Sequence, residues 1–581
     1  MGVRFSRREL IASLGSVITV ALGCRGDRST SRTVLSAESV STPEQAPRRA
    51  AGRPRPGHPA ERVVAVWIEP DADRAAMVRA ERFLLALGSL LPEGWRLVGV
   101  EAAEKADLRL RYTTEPAGEV SFGERAFLPV TSHWNLLTGV SREALDALVS
   151  GRIDEWQAVG GPEPLNVELV SMGDGGRQLL PAVHHVEGPD DCAALLLERP
   201  GALALIERSA LRAEMRALRI DGRDPLALRS SELASLGLLE RWVVESDRAL
   251  QQVVREAAAP LAEPPSVPAF TIVAVGDILL GRTVHRVMER TGDWAAPFRL
   301  VASVLADADL TVANLECALT SSFSPPEDPY TMRFMSVPKA VEGLLLAGID
   351  VVSLANNHSM DFGPVGLRDT IAVLDAHGIA HIGAGETLAV ARRPAVFDIS
   401  GTQVAILGFD GVSAGWYGAR ASGPGTVPLE PELLKEDVAA AAELADVVVP
   451  FFHWGIEYTP GPTQEQQRLA RVAIDAGATL VLGSHPHWVQ GFEFYEGRPI
   501  FYSLGNFVFD QEWSMETKEG VILRLHFEGA RLLSFALDPV IIEDFHRPRL
   551  AGDEERRVVL ERIRAASQQL LRNSNADRTG W

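Results

Sequence analysis

Apolar runs in the second half of the chain each end in a short group of polar residues. The runs start near residues 271, 310, 351, 447, 480 and 500. Unbroken apolar runs of this length are typical of strands that are buried on both faces. The polar residues at their ends are Asp277, Glu316, Asn357 with His358, His453, His485 with His487, and Asn506. In layered α/β folds ligands bind at the carboxyl ends of strands, so the pattern predicts one shared site.

The first half of the chain alternates short apolar runs with helical patterns, which predicts α/β layers. The predicted strands lie within 62–69, 107–112, 127–133, 166–173 and 202–208. The predicted helices lie within 71–91 and 142–150, and a further helix is predicted over 552–571 near the end of the chain. The fold class predicted for both halves is therefore α/β.

One segment of the first half resembles a known fold family. Residues 137–161, LTGVSREALDALVSGRIDEWQAVGG, resemble the phosphate-type periplasmic substrate-binding proteins, and PGAL at 200–203 fits the same family. Those proteins hold an oxyanion with Ser or Thr hydroxyls and backbone amides at helix starts. The corresponding stretch here, MGDGGR at 172–177, has no hydroxyl, and Asp174 would repel an anion. The resemblance implies a recognition or scaffold domain of this fold without its phosphate site.

The amino terminus resembles an export signal. Three arginines within the first eight residues precede the apolar stretch 10–23, which is shorter than the roughly 20 residues of a spanning helix. The paired arginines resemble a twin-arginine signal, and ALGC at 21–24 resembles a lipoprotein cleavage box with Cys24 as the lipidated residue. We expect an exported envelope protein held at the outer face of a membrane through Cys24. The alternative is an ordinary signal with an incidental cysteine, and a periplasmic or extracellular protein.

Changes in composition divide the chain into segments. A Ser, Thr, Pro and Arg-rich stretch follows the signal, and a proline-rich stretch separates the two folded halves. The predicted segments are a signal peptide at 1–24, a flexible tether at 25–61, a substrate-binding-protein-like domain at 62–250, a linker at 251–268, the second domain at 269–545, and a C-terminal helix and tail at 546–581.

Charge and cysteine content exclude two classes of function. The 581 residues include 57 basic and 77 acidic side chains, a formal charge of −20, which argues against a nucleic-acid partner because phosphates would be repelled. Three cysteines cannot form a disulfide framework or a cysteine-rich zinc site.

The residues at the strand ends are of types that ligate metals. Carboxylate, amide and imidazole groups together suit Mn²⁺, Fe or Zn²⁺ and disfavour iron–sulfur or copper–thiolate chemistry. His485 and His487, separated by one proline, can offer two imidazoles to neighbouring ions. The sequence therefore predicts a divalent metal site, with two ions as the expected number.

Six motifs at these residues carry a second resemblance. GDILLGR, NLE, LANNHSMDFG, FFHWGIEY, GSHPHWVQ and YSLGNFVF, in this order over about 269–545, closely resemble the CapA family of poly-γ-glutamate capsule biosynthesis. That family is similar in fold to the calcineurin-like metallophosphoesterases, a β-sandwich flanked by helices with a two-metal site. The resemblance implies metal ligands at Asp277, Glu316, Asn357, His453, His485 and His487. It also implies that His358 is the catalytic histidine that protonates a leaving group.

One departure separates this chain from a typical metallophosphoesterase. Such enzymes begin with Asp-x-His, whereas the residue two after Asp277 is Leu279, so one metal loses an imidazole. Asp361 is expected to orient His358 or to cap the following helix. Arg282 and Asn506 are candidates for contacts with an anionic substrate. For Glu457 two roles are open, a supporting group of the site or a solvated side chain. We expect His285, His377, His381 and Cys317 to have structural roles.

Two functions remain open from the sequence. The first is a dinuclear-metal-dependent hydrolase in the envelope, acting on an anionic polymer such as poly-γ-glutamate or on a phosphoester or amide linkage within it. The second is a non-catalytic, metal-containing factor that binds, exports or anchors the polymer. Membrane synthase or export subunits are expected partners in either case. The intact set of ligand-type residues with His358 favours the hydrolase, and the missing imidazole favours the second function.

Overall fold

The computed structural model describes residues 62–68, 74–91, 95–100, 102–113, 120–173, 182–228, 230–247, 249–261, 269–328 and 330–579. These residues form two compact units. The first contains the described residues up to Phe127 together with those between Leu228 and residue 262, and the second contains Leu128–Leu228 together with the described residues from Ala269 onward. The sequence boundary at residue 250 is thus not where the compact units divide. The predicted lipidation site Cys24 and the residues Asp174–Arg177 lie outside the described residues.

The strands before residue 262 are short, and they alternate with helices along the chain. They are β1 (Arg62–Ile68), β2 (Trp95–Gly99), β3 (Leu108–Thr113), β4 (Val120–Thr131), β5 (Gly139–Val140), β6 (Glu168–Met172), β7 (His184–Val186), β8 (Ala202–Glu207), β9 (Arg216–Ala217), β10 (Arg219–Ile220) and β11 (Leu239–Ser246). The helices are α1 (Arg74–Leu90), α2 (Arg142–Val149), α3 (Pro189–Glu198), α4 (Ser230–Ser235) and α5 (Gln251–Ala258). The strands and helices predicted for this half are present, which confirms the α/β class.

The first unit is a sheet covered by helices. Its strand order is β2-β1-β3-β11-β4, with β1 parallel to its two neighbours and β11 antiparallel to β3 and β4. Apolar residues of α1 and α5 pack on this sheet around the buried Phe83, Leu110, Trp242 and Val254.

The second unit contains the end of β4 with β8, β6 and β7, followed by a larger β-sandwich. The strands of this sandwich are β12 (Ala269–Ile278), β13 (Leu310–Leu315), β14 (Ala318–Leu319), β15 (Met335–Ser336), β16 (Val351–Ser353), β17 (Ala380–Ile382), β18 (Ala384–Gly385), β19 (Ala395–Ile399), β20 (Thr402–Asp410), β21 (Gly425–Thr426), β22 (Val447–His453), β23 (Val481–Ser484), β24 (Phe492–Tyr495), β25 (Arg498–Phe501), β26 (Asn506–Val508), β27 (Glu519–Glu528), β28 (Arg531–Glu543) and β29 (Arg547–Leu550). Its helices are α6 (Arg282–Thr291), α7 (Ala302–Leu305), α8 (Val341–Leu346), α9 (Gly363–Ala376), α10 (Leu388–Ala391), α11 (Ala414–Tyr417), α12 (Pro431–Ala442), α13 (Gln464–Asp475), α14 (Met515–Lys518) and α15 (Asp553–Thr579).

Two sheets face each other in the sandwich. One has the order β17-β16-β13-β12-β27-β28-β29, with β26 also paired to β12, and the other has the order β19-β20-β22-β23-β25-β24. Between them lies an apolar layer that includes Ile272, Val312, Val449, Leu482 and Phe535. The outer faces are covered by α6, α8 and α9 on one side and by α12 and α13 on the other. This is the helix-flanked β-sandwich that the resemblance implied.

The parallel strands of both sheets end at the same edge of the sandwich. In the first sheet Asp277 is paired with Asn314 on one side and with Asn506 on the other. In the second sheet His453 is paired with Ser484. The polar ends of the predicted runs therefore come together, because parallel strands point their carboxyl ends the same way.

The sixth predicted run is two strands rather than one. β25 ends at Phe501 in one sheet, and Asn506 begins β26 in the other sheet. The crossing between sheets uses Gly505 at φ +72°, and its carbonyl approaches Gly276 so closely that a Cβ at Gly276 would lie 1.8 Å from it. Two glycines are needed here because neither backbone leaves room for a side chain.

The C-terminal helix is longer than predicted. α15 extends to Thr579, beyond the predicted end at Leu571, and no glycine or proline interrupts the sequence until Gly580. Val559, Ile563 and Leu570 are buried against the sandwich. In the described part of the chain, no helix is long and apolar enough to cross a lipid bilayer.

Candidate metal centre

Asp277, Glu316 and His453 form the first cluster at the shared edge. Each offers a ligand atom, and these atoms lie within 4.8 Å of one another. Asp277 is in β12, Glu316 directly follows β13, and His453 ends β22, so the two sheets contribute jointly. All three side chains are buried, which excludes water from most of the cluster.

Both oxygens of the Glu316 carboxylate are buried, and neither has a hydrogen-bond partner among the described residues. Burial and the nearby charge of Asp277 raise the pKa of Glu316 well above its ordinary value. A buried carboxylate without donors is costly for a folded protein, whereas a metal ion would satisfy it. The donor set of Glu316, Asp277 and His453 therefore fits a divalent metal.

The second cluster contains Glu457, His485 and His487, whose ligand atoms also lie within 4.8 Å of one another. His485 and His487 have φ values of 95° and 58°, so the turn around Pro486 is held in an uncommon backbone conformation. His487 Nδ1 lies 2.9 Å from Asn506 Oδ1 and donates to it, which leaves Nε2 free to ligate. Burial lowers the pKa of His485 to about 3, so its imidazole is neutral as a metal ligand must be.

His453 and Asn357 meet at the first cluster. His453 Nε2 is 2.8 Å from Asn357 Oδ1, and its Nδ1 is 3.0 Å from the Ser484 hydroxyl. Burial and the neighbouring histidines lower the pKa of His453 well below its ordinary value, so this ring is also neutral. The structure thus brings all six predicted metal ligands into one region.

His358 lies beside the clusters and is held on both sides. Its Nδ1 is 2.8 Å from Asp361 Oδ2, and its ring stacks on Phe334 with centroids 3.7 Å apart. Its Nε2 faces Glu316 Oε1 at 3.7 Å, so this nitrogen points into the candidate centre. Asp361 also accepts a hydrogen bond from the Phe334 backbone N–H at 2.7 Å, which fixes the carboxylate in place. Of the two roles considered for Asp361, the geometry favours orientation of His358.

Arg282 and Asn506, the predicted substrate contacts, have partners within the protein. The Arg282 guanidinium pairs with Asp510 and lies over the rings of Phe334 and Phe509. Asn506 contacts His487 through its carbonyl oxygen and donates to the Thr517 carbonyl at 2.8 Å. Contact of either residue with a substrate remains a prediction.

The sequence reasoning assigned no role to Asn314 and did not decide the role of Glu457, and both residues lie at the centre. Asn314 donates to Asp277 Oδ1 at 2.8 Å and lies 3.3 Å from His453 Nδ1, so it links the two sheets. Its position at the end of β13, two residues before Glu316, was an available signal. Glu457 was left open, and the structure places its carboxylate with His485 and His487. Leu279, where an imidazole was missing, is buried in the apolar core.

Other strand-end and histidine residues lie outside the clusters. Asp410 ends β20, but its carboxylate accepts from Ser413 and Thr426 and holds the following turn. His285 contacts the Ser336 hydroxyl at 2.9 Å, and Cys317 is buried in the core. His377 Nδ1 contacts the Val373 carbonyl near the end of α9. These contacts are structural, in agreement with the expectation for His285, His377 and Cys317.

The fold and the clusters together define a helix-flanked β-sandwich with a candidate metal centre at its strand ends. Comparison with known sequences identifies its family. Residues 271–511 match the family described as "Bacterial capsule synthesis protein PGA_cap". The chain is 34% identical over 271 residues to the PGA biosynthesis protein CapA of Bacillus subtilis, covering 46% of this chain and 71% of that protein. It is 31% identical over 331 residues to the capsule biosynthesis protein CapA of Bacillus anthracis, covering 56% and 80%. The chain belongs to the CapA family, as predicted.

Solved structures resemble parts of the chain. A 5'-nucleotidase precursor from Thermus thermophilus is 14% identical, covers 52% of this chain and 59% of its own, and has a TM-score of 0.31. An ABC-type phosphate transport receptor from Vibrio cholerae is 15% identical, covers 34% and 96%, and has a TM-score of 0.26.

Proposed function

We propose that this chain acts in capsule biosynthesis as a metal-dependent hydrolase of poly-γ-glutamate or of a linkage within that polymer. The relatives named above supply the biological setting, since both are named for capsule or PGA biosynthesis. The observation that carries the chemistry is the buried, unpartnered carboxylate of Glu316 opposite His358. Family membership alone would fit the non-catalytic alternative equally well.

Asp277, Glu316, His453 and Asn357 would hold one ion, and Glu457, His485 and His487 would hold the other. When bound, such ions act as Lewis acids on the scissile group and activate water. Mn²⁺, Fe and Zn²⁺ all suit this mixture of oxygen and nitrogen ligands. At position 279, where a typical metallophosphoesterase has a metal-binding histidine, this chain has a leucine. Glu457 would supply a ligand to the second site in place of that histidine.

His358 would supply the proton that the leaving group needs. Asp361 holds Nδ1, while Nε2 points toward Glu316 and the space beside it. The stacked Phe334 prevents the ring from turning away. A polymer of glutamate carries many carboxylates, and divalent ions at the centre would attract it despite the net charge of −20.

Replacement of His358 tests the chemistry. His358→Ala is expected to keep its metal content and thermal stability but to lose about 10²–10⁴-fold in turnover of poly-γ-glutamate or of a chromogenic phosphodiester. Asp361→Asn should lose about 10- to 100-fold, because it positions His358 without reacting. His377→Ala is the matched control. It removes an exposed histidine that belongs to neither cluster and should keep full activity.

The cellular assay separates the two functions. A strain carrying His358→Ala should stop producing normal polymer if the chemistry is required. If that strain makes polymer as well as the wild type while the purified variant still binds metal, the protein is a non-catalytic handling factor, and the hydrolase proposal is wrong.

The envelope location rests on the amino terminus. We propose export and lipidation at Cys24, with membrane synthase or export subunits as neighbours. Cys24→Ala should move the protein from the membrane fraction to a soluble fraction in cell fractionation. Cys192→Ala, which changes a buried cysteine elsewhere, is the control. Unchanged membrane association of Cys24→Ala would reject lipidation.

A further inference from the structure

Three arginines, Arg216, Arg219 and Arg556, and two aspartates, Asp224 and Asp538, line a crevice that contains none of the proposed metal ligands. Within the second unit, the segment around β9 and β10 lies against β28 and the start of α15. The Asp538 carboxylate oxygen Oδ2 is 3.7 Å from Arg219 and 3.5 Å from Arg524. The other aspartate, Asp224, is paired with His526 at 3.1 Å. Both carboxylates are therefore already engaged.

Two of the arginines have no carboxylate within ion-pair distance among the described residues. Arg216 donates instead to the backbone carbonyls of Asn135 and Leu137, at 2.7 and 2.6 Å. Arg556, on α15, has a buried Nε–H without an acceptor in the described part of the chain. The three arginines and two aspartates that line the crevice thus leave an excess of positive charge and an unused N–H donor.

The positive groups repel one another. Burial, together with the charges of Arg556 and Arg219, lowers the pKa of Arg216 to about 9. The pKa of Arg556 is lowered too, by burial and by Arg219, while Asp538 and Asp553 oppose this. Buried charges in folded proteins are normally compensated, so the crevice lacks a counter-charge.

The volume of the crevice limits the size of the anion that could supply the missing negative charge. The crevice has a volume of about 30 Å³, and Thr138, Ser534 and Phe535 also border it. This volume accepts one particle about as large as a water molecule. A polymer segment or a nucleotide is too large. A water molecule would fit but would leave the excess charge in place.

We propose that this crevice binds one small monovalent anion of chloride size, held between Arg216, Arg219 and Arg556. The anion would join residues 128–228 to the sandwich, since its ligands come from both parts of the second unit. It would act on stability and would not take part in the proposed hydrolysis.

The test compares chloride with a large anion. The thermal midpoint of the full protein is measured with EDTA present, in sodium chloride and in sodium gluconate at equal ionic strength. Chloride should raise the midpoint saturably by about 2 °C or more, because it binds the folded state only. Identical midpoints in the two salts would overturn the proposal.

Two variants locate the effect. Arg556→Met should abolish the difference between the salts, whereas Arg557→Met should keep it, because Arg557 pairs with Glu554 and Glu561 and does not line the crevice. If Arg556→Met fails to fold, Asp538→Asn serves instead. This variant removes a negative charge from the crevice and should enlarge the difference in thermal midpoint between chloride and gluconate. If that difference is the same in Asp538→Asn as in the wild type, chloride does not bind at this site.

Discussion

At the scale of single residues, Glu316 and its neighbours show how the centre depends on charge. A carboxylate that is buried without donors destabilises the metal-free protein, and the same carboxylate becomes favourable once a cation neutralises it. The protein keeps Asn314, Ser484 and Asn506 around the other ligands as neutral hydrogen-bonding groups. They orient Asp277 and the histidines and leave the ligand atoms available.

Glu316→Gln is expected to have two opposite effects. Without metal the variant should be at least as stable as the wild type, because a neutral amide replaces an uncompensated carboxylate. With metal, the wild type should gain about 2.7 kcal/mol at a concentration of 100 times Kd, and the variant should gain much less. Thermal midpoints with EDTA and with Mn²⁺ or Zn²⁺ measure both effects.

Glu342→Gln, at an exposed position of α8, is the control for this experiment. It should respond to metal like the wild type. If Glu316→Gln gains as much from metal as the wild type does, Glu316 is not a ligand.

The candidate ligands that follow a buried strand were predictable from the sequence, as were His485 and His487 in the turn after β23, whereas the role of Glu457 was not. Asp277, Glu316 and His453 lie at strand ends, where parallel pairing brings side chains together whatever the loops do. Glu457 lies in a loop after Gly455, and its direction depends on a φ of +96° at that glycine. Local pattern gives no measure of such an angle, so Glu457 was left open.

At the scale of elements, the step of the chain from one sheet to the other forms part of the centre. The run that starts at Ile500 looks like one strand in the sequence, yet β25 and β26 belong to different sheets. The apolar pattern of a sequence indicates which residues are buried, but it does not indicate which strands pair with each other. A buried run that passes from one sheet to another therefore looks like a single strand in the sequence. The glycine at 505 was the available signal.

Gly276→Ala is expected to disrupt this step. The new Cβ would lie 1.8 Å from the Gly505 carbonyl oxygen, and both are backbone positions that no side-chain rotation can relieve. We expect a loss of about 3 kcal/mol or more in the free energy of unfolding and a loss of bound metal, because Asp277 and Asn506 are adjacent to the clash. Chemical denaturation and elemental analysis measure the two quantities.

Gly415→Ala provides the comparison, since no atom lies within 4 Å of its added Cβ. It should change stability by less than about 1 kcal/mol. Equal behaviour of the two variants would show that the close approach at Gly276 does not constrain the site.

At the scale of the whole molecule, the sequence predicted the class of each half but not how the halves divide into compact units. Residues 128–228 pack with the sandwich through contacts such as Arg208 with Glu528 at 3.1 Å and His133 stacked on Phe535 at 4.0 Å. Pairs more than 300 residues apart leave no local trace in composition or periodicity. The proline-rich linker marks a change in amino-acid composition along the chain. Which residues form one compact unit depends on tertiary contacts, and the linker does not determine these contacts.

The C-terminal helix is held to the sandwich by an ion pair whose carboxylate is buried, and protonation of that carboxylate should affect stability. Glu519, at the start of β27, accepts a hydrogen bond from Arg562 on α15. Burial raises the pKa of Glu519 to about 7, although Arg562 opposes the shift. The folded state therefore binds the proton more tightly than the unfolded chain does, in which the pKa is about 4.5. The stabilisation from this group is complete below pH 4.5 and is lost as the pH rises through 7.

Glu519→Gln should remove this pH dependence. Between pH 4.5 and 8 the wild type should lose on the order of 3 kcal/mol through Glu519, and the variant, which carries no titrating group there, should lose correspondingly less. The thermal midpoint measured across this range, as the difference between wild type and variant, cancels the contributions of the histidines. Glu516→Gln is the matched control, because Glu516 also contacts Arg562, at 3.3 Å, but is about one-third exposed. It should keep most of the wild-type slope, because the charge of Glu516 makes the smallest contribution to the raised pKa of Glu519. If Glu519→Gln keeps that slope as well, the pH dependence arises elsewhere, and the attachment of α15 through Arg562 does not depend on the protonation of Glu519.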